Sequence, residues 1–245
     1  MKYQLRDYQK KASDAAVMCF KMKSGRNGLL VLPTGAGKSL IIADIAARLE
    51  EPLIVFQPNK EILEQNFAKL QTYGIWDCSI YSASVGRKEI SRITFATIGS
   101  VIRHMKDFQH FKNILIDECH LVKPSDGMYK RFFEQAERRI VGLTATPYRL
   151  YSCMNGSMLK FLTRTRPRVF SQVLYYCQVS ELLAKGFLSR LKYYDVTRID
   201  LTKVRRNSSG ADFDDASLSD EFRRVDLYGY LISIVKRLLH PKVGG

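Results

Sequence analysis

The stretch "LPTGAGKS", Leu32 to Ser39, sets two glycines, a lysine and a hydroxyl at the spacing used to hold phosphate. Gly35 and Gly37 can take positive φ, which lets successive backbone N–H groups turn toward an anion. Lys38 is placed to reach β- and γ-phosphates, and Ser39 to offer a hydroxyl to Mg²⁺. Thr34 and Ala36 complete the loop. The pattern G-x-x-x-x-G-K-[ST] is met except at its first position, where Leu32 stands in place of glycine. A second chemical pair lies in "NILIDECH". Asp117 at the end of an apolar run could hold Mg²⁺ through its water shell, and Glu118 could orient and deprotonate a water.

Such residues work only if the chain positions them. "GLLVL", just before the loop, reads as a buried strand, and Pro33 keeps Leu32 extended. After the loop, Leu40, Ile41, Ile42, Ile45, Ala46 and Leu49 recur at helical spacing, so Lys38 and Ser39 open a helix. Its N-terminus carries unpaired N–H groups and about half a positive charge, which suits phosphate. Further apolar runs, "PLIVF", "RITFAT", "NILID" and "RIVGLT", alternate with helical patterns such as Asn59 to Leu70, with Leu63, Phe67 and Leu70 on one face. Alternation of this kind predicts an α/β fold, a mostly parallel central sheet flanked by helices, with ligands at the carboxyl ends of the strands. Beyond Pro147 the pattern changes. "YYCQVSELLAKGFL" reads as strand then helix, "KVRRNSSGADFDDASLSD" as a polar loop, and Val225 to Leu239 as a last helix with Leu231, Ile234, Val235 and Leu238 on one face.

Composition narrows the partners. A net charge of +15 points to a polyanion, although solvated lysines account for part of it. No apolar run reaches the roughly 18 residues of a membrane span, and "MKYQLRDYQKK" is too polar for a signal peptide. The five cysteines never form C-x-x-C, which argues against zinc and for a reducing, cytoplasmic setting.

Other segments hold polar groups beside these strands. "LRDYQ" contains Arg6, whose guanidinium could stack on a base, and Gln9, whose amide can pair with N6 and N7 of adenine. "FQPNKEILEQ" and "TFATIGSV" set Pro58, Asn59, Lys60, Thr97 and Ser100 just past strands. Asn59 reads equally as a helix N-cap, and the two roles are compatible because helix N-termini hold backbone phosphates. "GLTATPYR" sets Thr144 and Thr146 at another strand end.

In their order along the chain these segments resemble the Q motif and motifs I, Ia, Ib, II and III of superfamily 2 helicases, in which the first loop glycine is often replaced. "DECH" resembles the DExH group, and "LRDYQ", "LPTGAGKS" and "GLTATPYRL" the RadD-like, XPB and restriction-enzyme motor branch. "VSELLAKGFLS" resembles the segment that follows motif III in RadD-like proteins. The resemblance implies a RecA-like ATP-binding domain over residues 1–190, with residues 191–245 leading toward a second RecA-like lobe. It implies ATP and Mg²⁺ as cofactors, Arg6 and Gln9 on adenine, residues 34–39 on phosphate, and Asp117 and Glu118 on Mg²⁺ and water. His120, Thr144 and Thr146 would couple nucleotide to nucleic acid. Pro58, Asn59, Lys60, Thr97 and Ser100 would touch the backbone of single-stranded or branched DNA. Arg164, Arg166, Arg168, Arg205 and Arg206 are further candidates for that contact, or a solvated face. Cys119 has no assignable chemistry.

The departure from the family is the lack of motifs IV, V and VI. The reading is therefore the first lobe of a DNA-dependent ATPase, helicase or translocase of DNA repair or recombination. The alternatives are a restriction-system motor and a nucleotide-gated clamp without turnover.

Overall fold

In the computed structural model of the protein, the apolar runs become neighbouring strands of one sheet. Residues 4–22, 26–123, 127–153, 156–190, 199–206 and 213–239 are described. The chain divides into two compact units, Met1–Ser189 and Arg190–Gly245.

The first unit opens with helix α1 (Asp7–Lys21), strand β1 (Gly28–Val31) and helix α2 (Lys38–Arg48). Then come β2 (Leu53–Phe56), α3 (Lys60–Thr72), β3 (Cys78–Ser82), a two-residue β4 (Arg87–Lys88) and β5 (Ile93–Ala96). A short α4 (Ile98–Val101) runs into a 3-10 segment, Ile102–Phe108, ahead of β6 (Asn113–Ile116), α5 (Met128–Phe133) and β7 (Arg139–Thr144). A hairpin of β8 (Tyr148–Cys153) and β9 (Gly156–Phe161) stands outside the main sheet, and β10 (Gln172–Tyr176) and α6 (Val179–Ala184) follow. The eight-stranded sheet runs β10-β1-β7-β6-β2-β5-β3-β4. Every pairing is parallel except that of β4 with β3.

Alternate side chains of a strand face opposite sides, and the two faces gather separate cores. Leu29, Ile54, Phe56, Ile114 and Ile116 join Phe108, Phe111, Phe132 and Phe170 on one side. Leu30, Val55, Phe95 and Leu115 join Ala12 and Ala16 of α1, Ile41 and Ile45 of α2, and Leu63 and Phe67 of α3 on the other. Each wholly buried Leu, Ile or Phe contributes about 1.5–3 kcal/mol, so burial on both faces fixes the sheet. The strands then release their polar residues at one edge. Leu32 N donates to Thr144 O, Gln57 N to Ala96 O and Asp117 N to Phe56 O, each at 3.0 Å, continuing the ladder for one residue past the strand ends. The loop 33–39, Gln57, Thr97, Asp117 and Thr144 therefore emerge along a common carboxyl edge.

The expected strands and helices of the first 150 residues are present. The strands β3 and β4 and the β8–β9 hairpin were not expected. β3 ("CSIYS") lacks a clear apolar run, and in the hairpin Tyr148, Leu150, Met158 and Leu159 are exposed, so no burial pattern marks it. In the second unit, helix α7 (Asp215–Arg224) replaces part of the expected polar loop, because Asp214 accepts from Ser217 N and caps it. Residues 207–212 of that loop lie outside the described residues. The expected single helix from Val225 to Leu239 is α8 (Leu227–Leu239), separated from α7 by Asp226 at φ 49. Leu231 is exposed, and the side chains of Ile234, Val235 and Leu238 are outside the described ones. Among the described residues no helix is long and apolar enough to cross a membrane.

Candidate active site

The glycine loop is held from behind by the chain's first helix. Gly35 and Gly37 lie at φ 81 and φ 76, conformations that side chains with a Cβ rarely adopt. Ala36, buried between them, offers its carbonyl to both Tyr8 Oη and Gln9 Nε2, each at 2.9 Å. Gln9 is 3% exposed, and its Oε1 accepts from Arg6 N at 2.9 Å, capping α1. Each of its amide atoms thus makes one bond within the protein, and each has the capacity for one more. The Arg6 guanidinium lies over the Phe187 ring, 4.3 Å from its centroid, and donates to Phe187 O at 3.5 Å. The "AKGFLS" turn therefore lies against the start of α1, and a Cβ on Gly35 would lie 2.9 Å from its Leu188. Thr34 and Gly35 are exposed, and Lys38 and Ser39 form the first turn of α2, whose leading N–H groups lack helical acceptors.

Facing this loop, β6 delivers its carboxylates. Lys38 Nζ donates to Glu118 Oε1 at 2.5 Å, with both side chains partly screened from solvent. Glu118 sits at φ 47, ψ 47, a left-handed conformation that costs a non-glycine residue about 1–2 kcal/mol. Asp117 is 6% exposed. Its Oδ1 accepts from Glu118 N at 3.0 Å and its Oδ2 from Asn66 Nδ2 at 3.1 Å. Burial pushes its carboxyl above the usual range, against the pull of the Lys38 ammonium and with the push of Glu118. Mg²⁺ takes one or two protein carboxylates and completes its shell with water and phosphate. Asp117 and the Ser39 hydroxyl fit that requirement, and among the described residues no group of three or more His, Cys, Asp or Glu is arranged to hold a metal alone. Cys119 is wholly buried against Gly142 of β7, where a Cβ would lie 2.6 Å from its sulfur, so its place in the box is one of packing.

His120, Thr144 and Thr146 form one bonded group. His120 Nδ1 is 3.0 Å from Thr144 Oγ1 and 3.3 Å from Glu118 Oε2, and Thr144 Oγ1 accepts from Thr146 N at 3.0 Å. The end of β7 is thereby tied to the carboxylate box.

On the other side of β6, the remaining candidates line a cleft of about 500 Å³. Pro58, Asn59, Lys60, Thr97 and Ser100 share it with Ser84, Lys88, Arg103 and His104. Asn59 Oδ1 accepts from Ile62 N at 2.9 Å and caps α3, leaving that helix N-terminus facing the cleft. Ser100 Oγ is buried and accepts from Ala83 N at 2.9 Å, and Thr97 Oγ1 lies 2.9 Å from it. Arg164, Arg166 and Arg168 are exposed in the first unit, and Arg205 and Arg206 belong to the second. An adjoining cleft of about 520 Å³ runs past Gln57, Pro58 and Thr97 to Asp117 and Glu118.

Sequence reasoning missed several residues here. Lys88, Arg103 and His104 join the first cleft from segments without a motif. Phe187 lay in a quoted segment but carried no role. Gln57 and Asn66 had a readable signal: a glutamine closes the apolar run "LIVF", and an asparagine falls on the Leu63–Phe67–Leu70 face.

Comparison with known proteins agrees with this geometry. The family described as type III restriction enzyme, res subunit, matches residues 2–149. The DNA 3'-5' helicase XPB of Mycobacterium tuberculosis is 29% identical over 98% of this chain and 42% of its own length. The DNA 3'-5' translocase XPB2 of Sulfurisphaera tokodaii is 29% identical over 60% of this chain and 32% of its own. The chain thus spans less than half the length of these relatives. The Hef helicase domain of Pyrococcus furiosus shares the fold, with a TM-score of 0.55 at 17% identity over 77% of this chain and 41% of that one. The chain belongs to the type III restriction enzyme res-subunit family and carries the N-terminal RecA-like lobe of a superfamily 2 helicase.

Proposed function

We propose that this lobe binds ATP with Mg²⁺ and hydrolyses it as half of a two-lobe motor that moves on or remodels DNA. The observation that carries the reading is the meeting of Lys38 Nζ and Glu118 Oε1 at 2.5 Å beside Asp117, in front of the loop that Gln9 and Tyr8 hold in place. A phosphate-seeking cation and a water-activating carboxylate thus converge on one point. In this reading Gly35, Gly37 and the first turn of α2 wrap the phosphates. Gln9 and Arg6 receive adenine. Asp117 and Ser39 hold Mg²⁺, which supplies charge neutralisation on the phosphates. Glu118 takes the proton of the attacking water. His120, Thr144 and Thr146 carry changes at the γ-phosphate to the end of β7.

DNA is proposed to lie with its phosphates over the α3 N-terminus and the Lys60–Lys88–Arg103 cleft. Single-stranded or branched DNA, a cytoplasmic setting and a place in DNA repair or recombination follow as parts of the same proposal. The two XPB relatives, named as a DNA helicase and a DNA translocase, support the DNA partner. A nucleotide clamp would not need Glu118, whose strained backbone delivers its carboxylate to Lys38. The family match favours a restriction-system motor as the second reading, which differs in partner subunits rather than in this site.

The test is steady-state ATP hydrolysis by residues 1–245 and by a polypeptide that adds a second RecA-like lobe after Gly245, with and without DNA. The two-lobe form should hydrolyse ATP about 10³–10⁵ times faster, the worth of an arginine finger from the facing lobe. Equal rates would contradict the two-lobe reading.

A further inference from the structure

Three buried polar side chains lead from the residue before Pro58, at the edge of the cleft proposed for DNA, to the carboxylate proposed for Mg²⁺. Asn66, 2% exposed on α3, spends its one NH₂ group twice, donating to Asp117 Oδ2 and to Gln57 Oε1, both at 3.1 Å. The arrangement follows from what each atom can do. An ionised carboxylate only accepts, so the Asn66 amide must turn its nitrogen to Asp117. The second N–H then requires an acceptor, which fixes Gln57 with its oxygen toward Asn66. Gln57 Nε2 is left buried without a partner, although Gln57 is only 1% exposed and lines the cleft that runs to Asp117 and Glu118. An orphaned buried donor is rare enough to require a reason.

Both Gln57 and Asn66 lie on elements that also carry residues of the proposed DNA cleft. Gln57 directly precedes Pro58, Asn59 and Lys60, and its own N–H is fixed to Ala96 O on β5. Asn66 lies two turns along α3 from the cap Asn59, so whatever shifts the α3 N-terminus shifts Asn66 with it. Among the described residues it is the one side chain that donates a hydrogen bond to Asp117. We infer that Asn66 is a positioning residue for Asp117, and that the Gln57–Asn66–Asp117 chain transmits occupation of the DNA cleft to the Mg²⁺ site. It forms a second line of coupling, separate from His120–Thr144. The inference rests on the nucleotide and DNA reading given above.

The test reads binding rather than turnover. The dissociation constant of a fluorescent ATP analogue for residues 1–245 is measured in Mg²⁺ and in EDTA, each with and without a DNA duplex carrying a single-stranded tail. In the parent, Mg²⁺ tightens binding and DNA alters the degree of tightening. Asn66→Leu, similar in volume and without donors, should leave the EDTA value within about twofold. It should shrink the Mg²⁺ tightening about 10-fold, as expected on removing a hydrogen bond to a charged group, and abolish the response to DNA. Gln57→Leu should keep the tightening and lose only the response to DNA; should Asn66→Leu fail to fold, that loss alone decides the matter. Equal weakening of Asn66→Leu in EDTA and Mg²⁺ would reveal a mere packing role and overturn the inference. So would an unchanged DNA response in either variant, or a parent whose tightening is indifferent to DNA. Lys38→Ala distinguishes failure of the relay from failure of the nucleotide site. If it binds as the parent does, the nucleotide reading itself fails; if it is weakened while Asn66→Leu matches the parent, only the relay fails.

Discussion

Gly37→Ala should destabilise the first unit by about 2–5 kcal/mol, and the structure divides that figure into two separable parts. One part is backbone. Gly37 lies at φ 76, where an alanine costs about 1–2 kcal/mol. The other is steric. A Cβ on Gly37 would lie 2.5 Å from Gln9 Nε2. Gln9 cannot swing aside freely, because its two amide atoms are bonded to Ala36 O and Arg6 N. Yielding those bonds, each worth about 0.5–1.5 kcal/mol net, sets the steric part at about 1–3 kcal/mol. Gly74 is the internal control. Its φ is 77 and nothing lies within 4 Å of an added Cβ, so Gly74→Ala should show the backbone part alone. In a Gln9→Ala background the clash is gone, and Gly37→Ala should fall to the Gly74→Ala value, giving a coupling of about 1–3 kcal/mol. Urea unfolding followed by far-ultraviolet circular dichroism on the four members of the cycle and the control measures this. A Gly37→Ala variant no less stable than Gly74→Ala, or a cycle that adds without coupling, would refute the claim that Gln9 braces the phosphate loop.

Glu118→Gln should keep ATP affinity while hydrolysis by the two-lobe form falls about 10²–10⁴-fold, the usual worth of a general base, as single-turnover and binding measurements would show. DNA binding should be tightest at low salt and nearly indifferent to sequence. Lys60→Ala or Arg103→Ala should each reduce the log–log salt slope on duplex by about 0.9, and an unchanged slope would remove that residue from the interface. In the second unit, Glu221 accepts from Arg224 Nε and Nη2 at 2.7 and 2.6 Å and from Asp200 N at 3.0 Å. The Arg224 bonds, first among these causes, lower its carboxyl to about 2. A lowered acid stabilises the fold above its ordinary value of 4.5 and loses that contribution as pH falls toward about 2. Glu221→Gln should therefore flatten the decline in helicity between those limits, and an unaltered acid transition would contradict the pairing.

The alternation of short apolar runs with helical patterns was sufficient to place the central strands and to put the motif residues at one edge. Both depend on local periodicity, which a single sequence carries. The β8–β9 hairpin was not legible because its Leu150 and Leu159, paired across the two strands, are both exposed, so no buried face marks it. The break between α7 and α8 was not legible because it rests on the left-handed backbone of Asp226, and a single aspartate, though it favours caps and turns, does not by itself mark a helix boundary. At the site, Lys38, Asp117 and Glu118 could be named from spacing, but not the fact that Lys38 and Glu118 touch, which depends on the order β1-β7-β6-β2 in the sheet. Gln9 was read as facing a base, whereas its bracing of Ala36 could be seen only from the packing of α1 behind the loop. Asn66 and Gln57 escaped because a lone polar residue on an apolar face usually means only a satisfied core amide, and nothing in the chain reveals that Asn66 bridges Gln57 and Asp117.

Whether the glycine loop is a nucleotide site is decided by titration of a fluorescent ATP analogue in Mg²⁺ against residues 1–245 and their Lys38→Ala variant. Lys38 lies at the mouth of the glycine loop with its ammonium on Glu118, so it should supply the main point charge for the β- and γ-phosphates. The parent should bind saturably, with competition by ATP, and the variant should lose about 10-fold or more in affinity. Equal affinity of the two proteins would contradict it.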